Sequence, residues 1–510
     1  MRLRLASVFL VMVCACGGDD DGGGDTPDGA PGGGLTLSAT PGEFVVAPGD
    51  SVTLTLSVAR DDVDGEVTIT ADDLPGDLEA DAVTIAAGET EAEMTVTAPD
   101  DAGQARGTVS LTATDGAASD TAEVDATIRG AAGELDLTFG DGGEVSLSFG
   151  EPNTSIRGMA LQPDGKLVVV GEVNGDWGIA RFTADGALDE GFGDGGMIVQ
   201  VFDTTQDAAG DVLVADDDTI IVTGHTSLGF TAVRYDADGV LDESYGEDGI
   251  ASVGVDPAIS WQILPRDDGG VILGGDSGTG DVLLVALTDA GVPDEDWGAG
   301  GAFTTDPGDD DQLYDMRYDA QGRILLAGRS GLANGVPFVC RVDGDGTPEE
   351  GGFNCGSLES TDTTRTGVAV APVAGGKFVL LEATGAATLH RFLGTGETDD
   401  TLDGDGSLTY TPPGITSPSA ANMAIDADGR VLVTGTASPG DATYHIYVMR
   451  LESSGSPDTG FGDEGITLTS GAVTEHQNGD AIEIAPDGRI LVGGVSTGDD
   501  DGFFVARFWD

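Results

Sequence analysis

Between Leu35 and Gly130 apolar and polar residues alternate with a period of two, in the runs LTLSATP, EFVVAPG, SVTLTLSV, EVTITADD, AVTIAAG, AEMTVTAP, GTVSLTAT and AEVDATI. Side chains on a strand point to opposite faces in turn, so this pattern predicts strands with one face buried. The turn-forming sequences PGD, LPGD, AGE and TDG separate the runs. Residues 35–130 therefore predict a two-sheet β-sandwich.

After residue 130 the apolar runs shorten and recur in a fixed order. One copy reads MIVQVF, then DVLVADDDTIIVTG, then FTAVRYDADG. The middle piece is a hairpin whose turn is PDG at 163–165, ADG at 427–429 and PDG at 486–488, where Pro and Gly supply the dihedrals a tight turn needs. Each unit thus predicts four strands. Between units stands an acidic, glycine-rich box, as in LDLTFGDGG at 135, LDEGFGDGG at 188, LDESYGEDG at 241 and PDTGFGDEG at 457.

The acid of the box falls at Asp136, Asp189, Asp242, Asp294, Glu349, Asp399 and Asp458, at spacings of 53, 53, 52, 55, 50 and 59 residues. Three residues later stands Phe139, Phe192, Tyr245, Trp297, Leu402 or Phe461, with Phe353 displaced by one. Four-stranded units at this period predict a seven-bladed β-propeller over 131–510, whose ring has no long free edge. The phasing also predicts its closure. EVSLSF at 144–149 is an outer strand without a blade of its own, and the chain ends at FFVARFWD without an outer strand, so the two should complete one blade.

An arginine precedes the acid by eight residues in five intervals: Arg181 and Asp189, Arg234 and Asp242, Arg341 and Glu349, Arg391 and Asp399, Arg450 and Asp458. The matching position before Asp294 is Ala286. Arg507 has no acid downstream, and ring closure would bring it to Asp136. These spacings predict arginine–carboxylate pairs that fix the turn after each third strand.

Composition narrows the rest. The chain has 510 residues, 83 of them Gly, with 91 acidic against 21 basic side chains and a formal charge of −70. Such a surface repels phosphate backbones, which excludes nucleic acid as a partner, and it favours a soluble monomer. MRLRLASVFLVMVCAC has two early arginines, a short apolar run and small residues, the layout of a secretory signal and too short to span a bilayer. Residues 17–34, GGDDDGGGDTPDGAPGGG, predict a flexible spacer with a reach of roughly 25 Å.

Three resemblances follow from these segments. Val13-Cys14-Ala15-Cys16 resembles a bacterial lipoprotein box, which implies cleavage within 1–16, acylation of Cys16 and attachment to the cell envelope, on the periplasmic side of the outer membrane or at the cell surface. PGDSVTLTLSV resembles bacterial immunoglobulin-like domains of surface proteins, without their cysteine pair or core tryptophan, and implies a stalk. The L-D-x-x-F-G, P-D-G-K and A-R-F/Y-x-x-D-G elements of 131–510 resemble the delta-60 repeat family, with degenerate copies at PDEDWGAGG, PEEGGFNCG and DDTLDGDG. That family implies export and a propeller-like fold and brings no catalytic residues.

Chemistry is sparse. HExxH, CxxC and phosphate-cradling loops are not in the sequence. The strand phasing sends His225, His445, His476, Trp177 and the acidic loops at Asp309, Asp310, Asp311 and at Asp499, Asp500, Asp501 to one face of the ring. That face could take a metal, a sugar or a protein, or support lyase chemistry; the alternative is a solvated acidic rim. Asp343-Gly-Asp345-Gly-Thr347 fails as a calcium loop, with Pro348 at the glycine position and Asn354 at the glutamate position. No cofactor or metal is expected, calcium being the one alternative. Cys340 and Cys355 flank the fifth box on neighbouring strands, and in an exported protein they predict a disulfide. The sequence thus reads as an envelope lipoprotein that presents a non-enzymatic binding or adhesion module, with a polysaccharide lyase or hydrolase as the alternative.

Overall fold

The computed structural model describes residues 34–151, 153–202, 207–254, 259–308, 310–331, 335–349, 356–357, 366–383, 387–411, 414–440, 443–469, 476–497 and 502–510. Every described regular element is a β-strand.

The first nine strands are β1 (Gly34–Thr40), β2 (Glu43–Val46), β3 (Ser51–Asp61), β4 (Val67–Asp72), β5 (Glu79–Ala80), β6 (Val83–Ile85), β7 (Glu91–Thr97), β8 (Ala105–Thr114) and β9 (Ser119–Ile128). They form two sheets, ordered β1-β3-β7-β5 and β2-β9-β8-β4-β6. The alternation explains the packing. Leu54 and Leu56, Met94 and Val96, Ile69, Val109 and Leu111 are buried, while the residues between them face outward or are only half-buried.

From residue 144 onward the described strands form seven four-stranded sheets. In the first, β11 (Thr154–Leu161), β12 (Leu167–Val173), β13 (Asp176–Phe182) and β14 (Met197–Gln200) pair antiparallel in chain order. The first strand of each sheet packs against that of the next, and His476–Ile484 of the seventh sheet packs against β11, so the row of sheets closes on itself.

The seventh sheet draws on both ends of this region. β10 (Glu144–Leu147) pairs antiparallel with Gly502–Phe508, Glu144 opposite Ala506 and Leu147 opposite Phe503. Residues 133–136 continue the pairing in place of the turn found in the other sheets. Trp509 N–H donates to Glu134 O at 3.0 Å, Gly133 N–H to Trp509 O at 2.9 Å and Asp136 N–H to Arg507 O at 2.8 Å. The last of these has the same form as the Asp189 N–H to Arg181 O bond within the first sheet.

Every first strand carries a one-residue β-bulge at the same place: after Ile156, Ala209, Ser260, Leu313, Gly367, Ala420 and Gly479. The residue opposite is Gly171, Gly224, Gly275, Gly328, Gly435 or Gly494, and Glu382 in the fifth sheet, where Gly367 supplies the glycine from the other strand. A bulge crowds the facing backbone. A Cβ on Gly171 would lie 1.8 Å from the Ser155 carbonyl oxygen.

The sandwich touches the ring where it closes. Gln104 Oε1 accepts from Leu137 N–H and from Trp509 Nε1–H, both at 2.9 Å, and its Nε2 donates to Leu135 O at 3.0 Å. One sandwich side chain therefore holds both ends of the closing sheet. Gln104→Ala removes these three bonds, which are exposed or half-buried, and is expected to lower stability by about 1 kcal/mol in urea unfolding. An unchanged midpoint would show that the contact contributes nothing.

Candidate ligand recess and the box pairs

Five box acids meet the arginine eight residues before them, and Asp136 meets Arg507. The ion-pair distances are 2.8 Å for Arg181 and Asp189, 2.7 Å for Arg234 and Asp242, 2.9 Å for Arg341 and Glu349, 2.8 Å for Arg391 and Asp399, 2.8 Å for Arg450 and Asp458, and 2.8 Å for Arg507 and Asp136. Four guanidiniums also lie over the box aromatic: Arg181 on Phe192, Arg450 on Phe461 and Arg507 on Phe139 at 4.5 Å, and Arg234 on Tyr245 at 4.6 Å.

Two features of this arrangement escape the sequence spacing. A second cation from the hairpin reaches most acids: Lys166 to Asp189 at 3.3 Å, Arg323 to Glu349 at 2.8 Å, Lys377 to Asp399 at 2.7 Å, Arg430 to Asp458 at 3.7 Å and Arg489 to Asp136 at 3.3 Å. Its signal is the basic residue that follows PDG, AQG, AGG or ADG. In the third sheet Arg266, ahead of the turn, holds Asp294 at 2.6 Å, so the box lacking an arginine at Ala286 still has its ion pair. The box arginines also bond the next sheet, Arg234 to Asp289 O, Arg391 to Ser453 O and Arg507 to Ala184 O, each at 2.5 Å.

Burial would raise the Asp399 carboxyl, but hydrogen bonds from Lys377 and Thr401 and the charge of Arg391 hold it well below the usual range. These pairs tie each box to the strand before it.

The face expected from the loops is only partly assembled. Trp177 is fully buried, its Nε1–H donating to His225 O at 3.1 Å and its ring set edge-on to Phe202 at 4.9 Å. It packs between sheets and presents nothing to solvent. His445 is also buried, with Nε2 2.8 Å from Thr443 Oγ1 and Nδ1 3.1 Å from Thr469 O. Both ring nitrogens serve the fold. His225 is half-buried, with Nδ1 enclosed and unbonded. Asp310 is exposed and Asp311 buried. Asp309, Asp499, Asp500, Asp501 and the side chain of His476 lie outside the described residues, as do Cys16 and Cys355. Cys340 is disulfide-bonded. Among the described residues no three His, Cys, Asp or Glu side chains are placed to hold a metal ion.

What the structure offers instead is built on the bulges. Their extra residues are Arg157, Gly210, Trp261, Tyr314, Val368, Ala421 and Asp480. Arg157 lies 5.0 Å from the Trp261 ring centroid and 3.4 Å from Glu172. Gly210 permits the approach of the second and third sheets, since a Cβ there would come within 2.9 Å of the Trp261 backbone. On the other side of Arg157, where Ala421 and Gly479 are small, a recess of about 660 Å³ opens between the first, sixth and seventh sheets. Arg157, Asp480, Tyr444, Ser155, Ser419 and Thr436 line it, and Tyr444 is 40% exposed.

A second recess of about 450 Å³ has Gln162, Asp211, Arg317 and Glu483 in its walls. Asp211 accepts from Val212 N–H at 2.9 Å and from Ile263 N–H of the third sheet at 3.2 Å, and Asp315 accepts from Val370 N–H of the fifth at 2.8 Å. These acids tie neighbouring sheets together. Enclosure raises the Asp211 carboxyl to about 6 and that of Glu483 to about 7, against the pull of Arg317.

Two stretches match a known family. Residues 162–192 and 427–461 match the family described as "Domain of unknown function (DUF5122) beta-propeller". Each stretch runs from the hairpin turn to the box aromatic, the same unit that carries the arginine–acid–aromatic cluster, and the repeat region is accordingly β-propeller-like. No curated protein matches the chain. Among solved structures, prolyl oligopeptidase B from Galerina marginata bound to a 35mer hydrolysis and macrocyclization substrate is 10% identical, with 76% of this chain and 53% of that one covered and a TM-score of 0.36. Its apo form gives 10%, 84%, 55% and 0.36. A hypothetical protein from Leishmania major is 10% identical over 50% of this chain and 86% of that one, with a TM-score of 0.27. The chain spans about half the length of the prolyl oligopeptidases.

Proposed function

We propose that this chain is an exported, Cys16-anchored envelope lipoprotein whose immunoglobulin-like sandwich carries a seven-bladed β-propeller as a non-enzymatic binding module. The ligand is a hydroxyl-rich one, of the glycan class, held in the recess beside Arg157. The observation that carries this reading is the recess lining: one cation, one carboxylate, a tyrosine and three hydroxyl side chains around a concave space. Hydroxyl-rich ligands are bound by such planar donors and acceptors beside an aromatic side chain. Binding is favoured over lyase or hydrolase chemistry because His445 is committed to the fold at both nitrogens and His390 to Glu382 at 2.6 Å.

A glycan array followed by calorimetry on the full chain tests the reading. Arg157→Ala and Tyr444→Ala are each expected to weaken binding about tenfold or more, the scale of lost interfacial anchors, with the melting temperature unchanged. Release of reducing ends from a bound polysaccharide would establish the enzymatic alternative, and affinity unaltered by both substitutions would remove the recess from consideration.

A further inference from the structure

We infer that a divalent cation of the calcium class binds between the third and fourth sheets, through the carboxylates of Asp276 and Asp311. This site is separate from the recess beside Arg157 and does not depend on the glycan reading.

Asp276 ends the second strand of the third sheet, Val271–Asp276, and Asp311 opens the first strand of the fourth, Asp311–Tyr318. Asp311 is 2% exposed and Asp276 8%. The two strands are stitched together at this point: Leu313 N–H donates to Asp276 Oδ1 at 2.7 Å, and Asp311 N–H donates to Gly280 O at 2.6 Å. The loops bearing these acids press close, since a Cβ on Gly280 would fall 3.1 Å from Asp310 Oδ1. Gly308 N–H donates to Asp311 Oδ2 at 3.3 Å and the Ser330 hydroxyl favours the charged carboxylate, while Oδ1 is enclosed without a hydrogen-bond partner.

A buried carboxylate is ordinarily paired, protonated or bound to metal. Among the described residues neither Asp276 nor Asp311 is in an ion pair. Arg329, the positive group whose field reaches Asp276, donates to Gln312 Oε1 at 2.5 Å. The surrounding charges make matters worse, because Asp306 and Asp281 add their fields at Asp311, and Asp311 adds its own at Asp276. Two enclosed acids thus share one neighbourhood with two more at its rim and an unused oxygen within. A divalent cation neutralises two charges at once. Calcium accepts carboxylate, carbonyl and hydroxyl oxygens in irregular geometry, so the two acids supply the charge and neutral oxygens or water complete the shell.

The competing answer is a proton. Burial raises Asp276 to about 7 and Asp311 to about 6. With folded values above the unfolded 3.8, the contribution to the stability of the metal-free protein is complete below about pH 3.8 and is lost progressively as pH rises from there through 6–7.

The test is thermal melting of chelator-treated full-length protein at pH 8, with and without calcium chloride, beside equilibrium dialysis with radioactive calcium, on the parent, Asp311→Asn and Asp276→Asn. The inference expects a calcium-dependent rise in Tm in the parent, its loss in both variants, and one equivalent of tightly bound calcium fewer in each. A Tm shift of equal size in parent and variants would be screening of the acidic surface and would overturn it. So would a calcium-insensitive parent that both asparagine variants exceed in stability, the result expected of a proton-filled site. If Asp311→Asn fails to fold, Asp276→Asn and dialysis of the parent decide the outcome.

Discussion

Replacing Asp136 by Ala is expected to cost about 3–5 kcal/mol, the loss associated with stranding one partner of a buried ion pair. Asp136 is fully buried, and its Oδ2 lies 2.8 Å from Arg507 and 3.3 Å from Arg489. Arg507 is 4% exposed, stacked on Phe139 and bonded to Ala184 of the first sheet. Burial already lowers it to about 10, with Arg489 acting in the same direction and Asp136 opposing both. Without the carboxylate, two guanidiniums face each other in the sheet that closes the ring. The comparison is Asp242→Ala, whose side chain is 31% exposed and, among the described residues, forms an ion pair with Arg234 alone; it should lose about 1 kcal/mol or less. Urea unfolding followed by tryptophan fluorescence measures both. Equal losses at the two positions would mean that closure adds nothing to the pair.

The second large effect is expected at a glycine that sequence alone reads as filler. Gly171→Ala places a methyl 1.8 Å from the Ser155 carbonyl, and Gly275→Ala one 1.8 Å from the Ile259 carbonyl. Either the bulge straightens or the strand shifts, and overpacking of this kind costs about 3 kcal/mol. Gly254→Ala, where nothing lies within 4 Å of the added carbon, should stay within about 0.5 kcal/mol of the parent. If all three variants melt together, the bulge does not constrain the strand opposite it.

These cases also separate what can be read from sequence from what cannot. The pairing of Arg181 with Asp189 is legible because both residues lie in one repeat, eight positions apart, and the copies align. The reach of Arg234 to the carbonyl of Asp289 is not, because 55 residues intervene and a carbonyl leaves no mark in the sequence. Arg266 was hidden by its position ahead of the turn, whereas the other hairpin cations follow theirs. Trp177 was misplaced for a different reason: at a strand start, amid polar residues, an indole reads as exposed, yet its N–H finds the His225 carbonyl of the next sheet. The recess beside Arg157 could not be foreseen at all, since it depends on Ala421 and Gly479 being small where two strands bulge. The glycines opposite the bulges were visible as VVGE, VTGH, LGGD, LAGR and VTGT, but their role is set by a neighbouring backbone and not by a turn.

The joint of β10 with Gly502–Phe508 has a mechanical side. The chain enters the ring at the same sheet in which it ends, and four residue pairs form that ladder. Tension applied from the sandwich side reaches this sheet first, and along the strand direction it loads the ladder in shear, all of its hydrogen bonds at once. Gln104, which grips Leu135, Leu137 and Trp509 together, carries part of that load past the ladder to the terminal residues. Under a pull, the head would hang from the one place where its beginning and its end are fastened to each other.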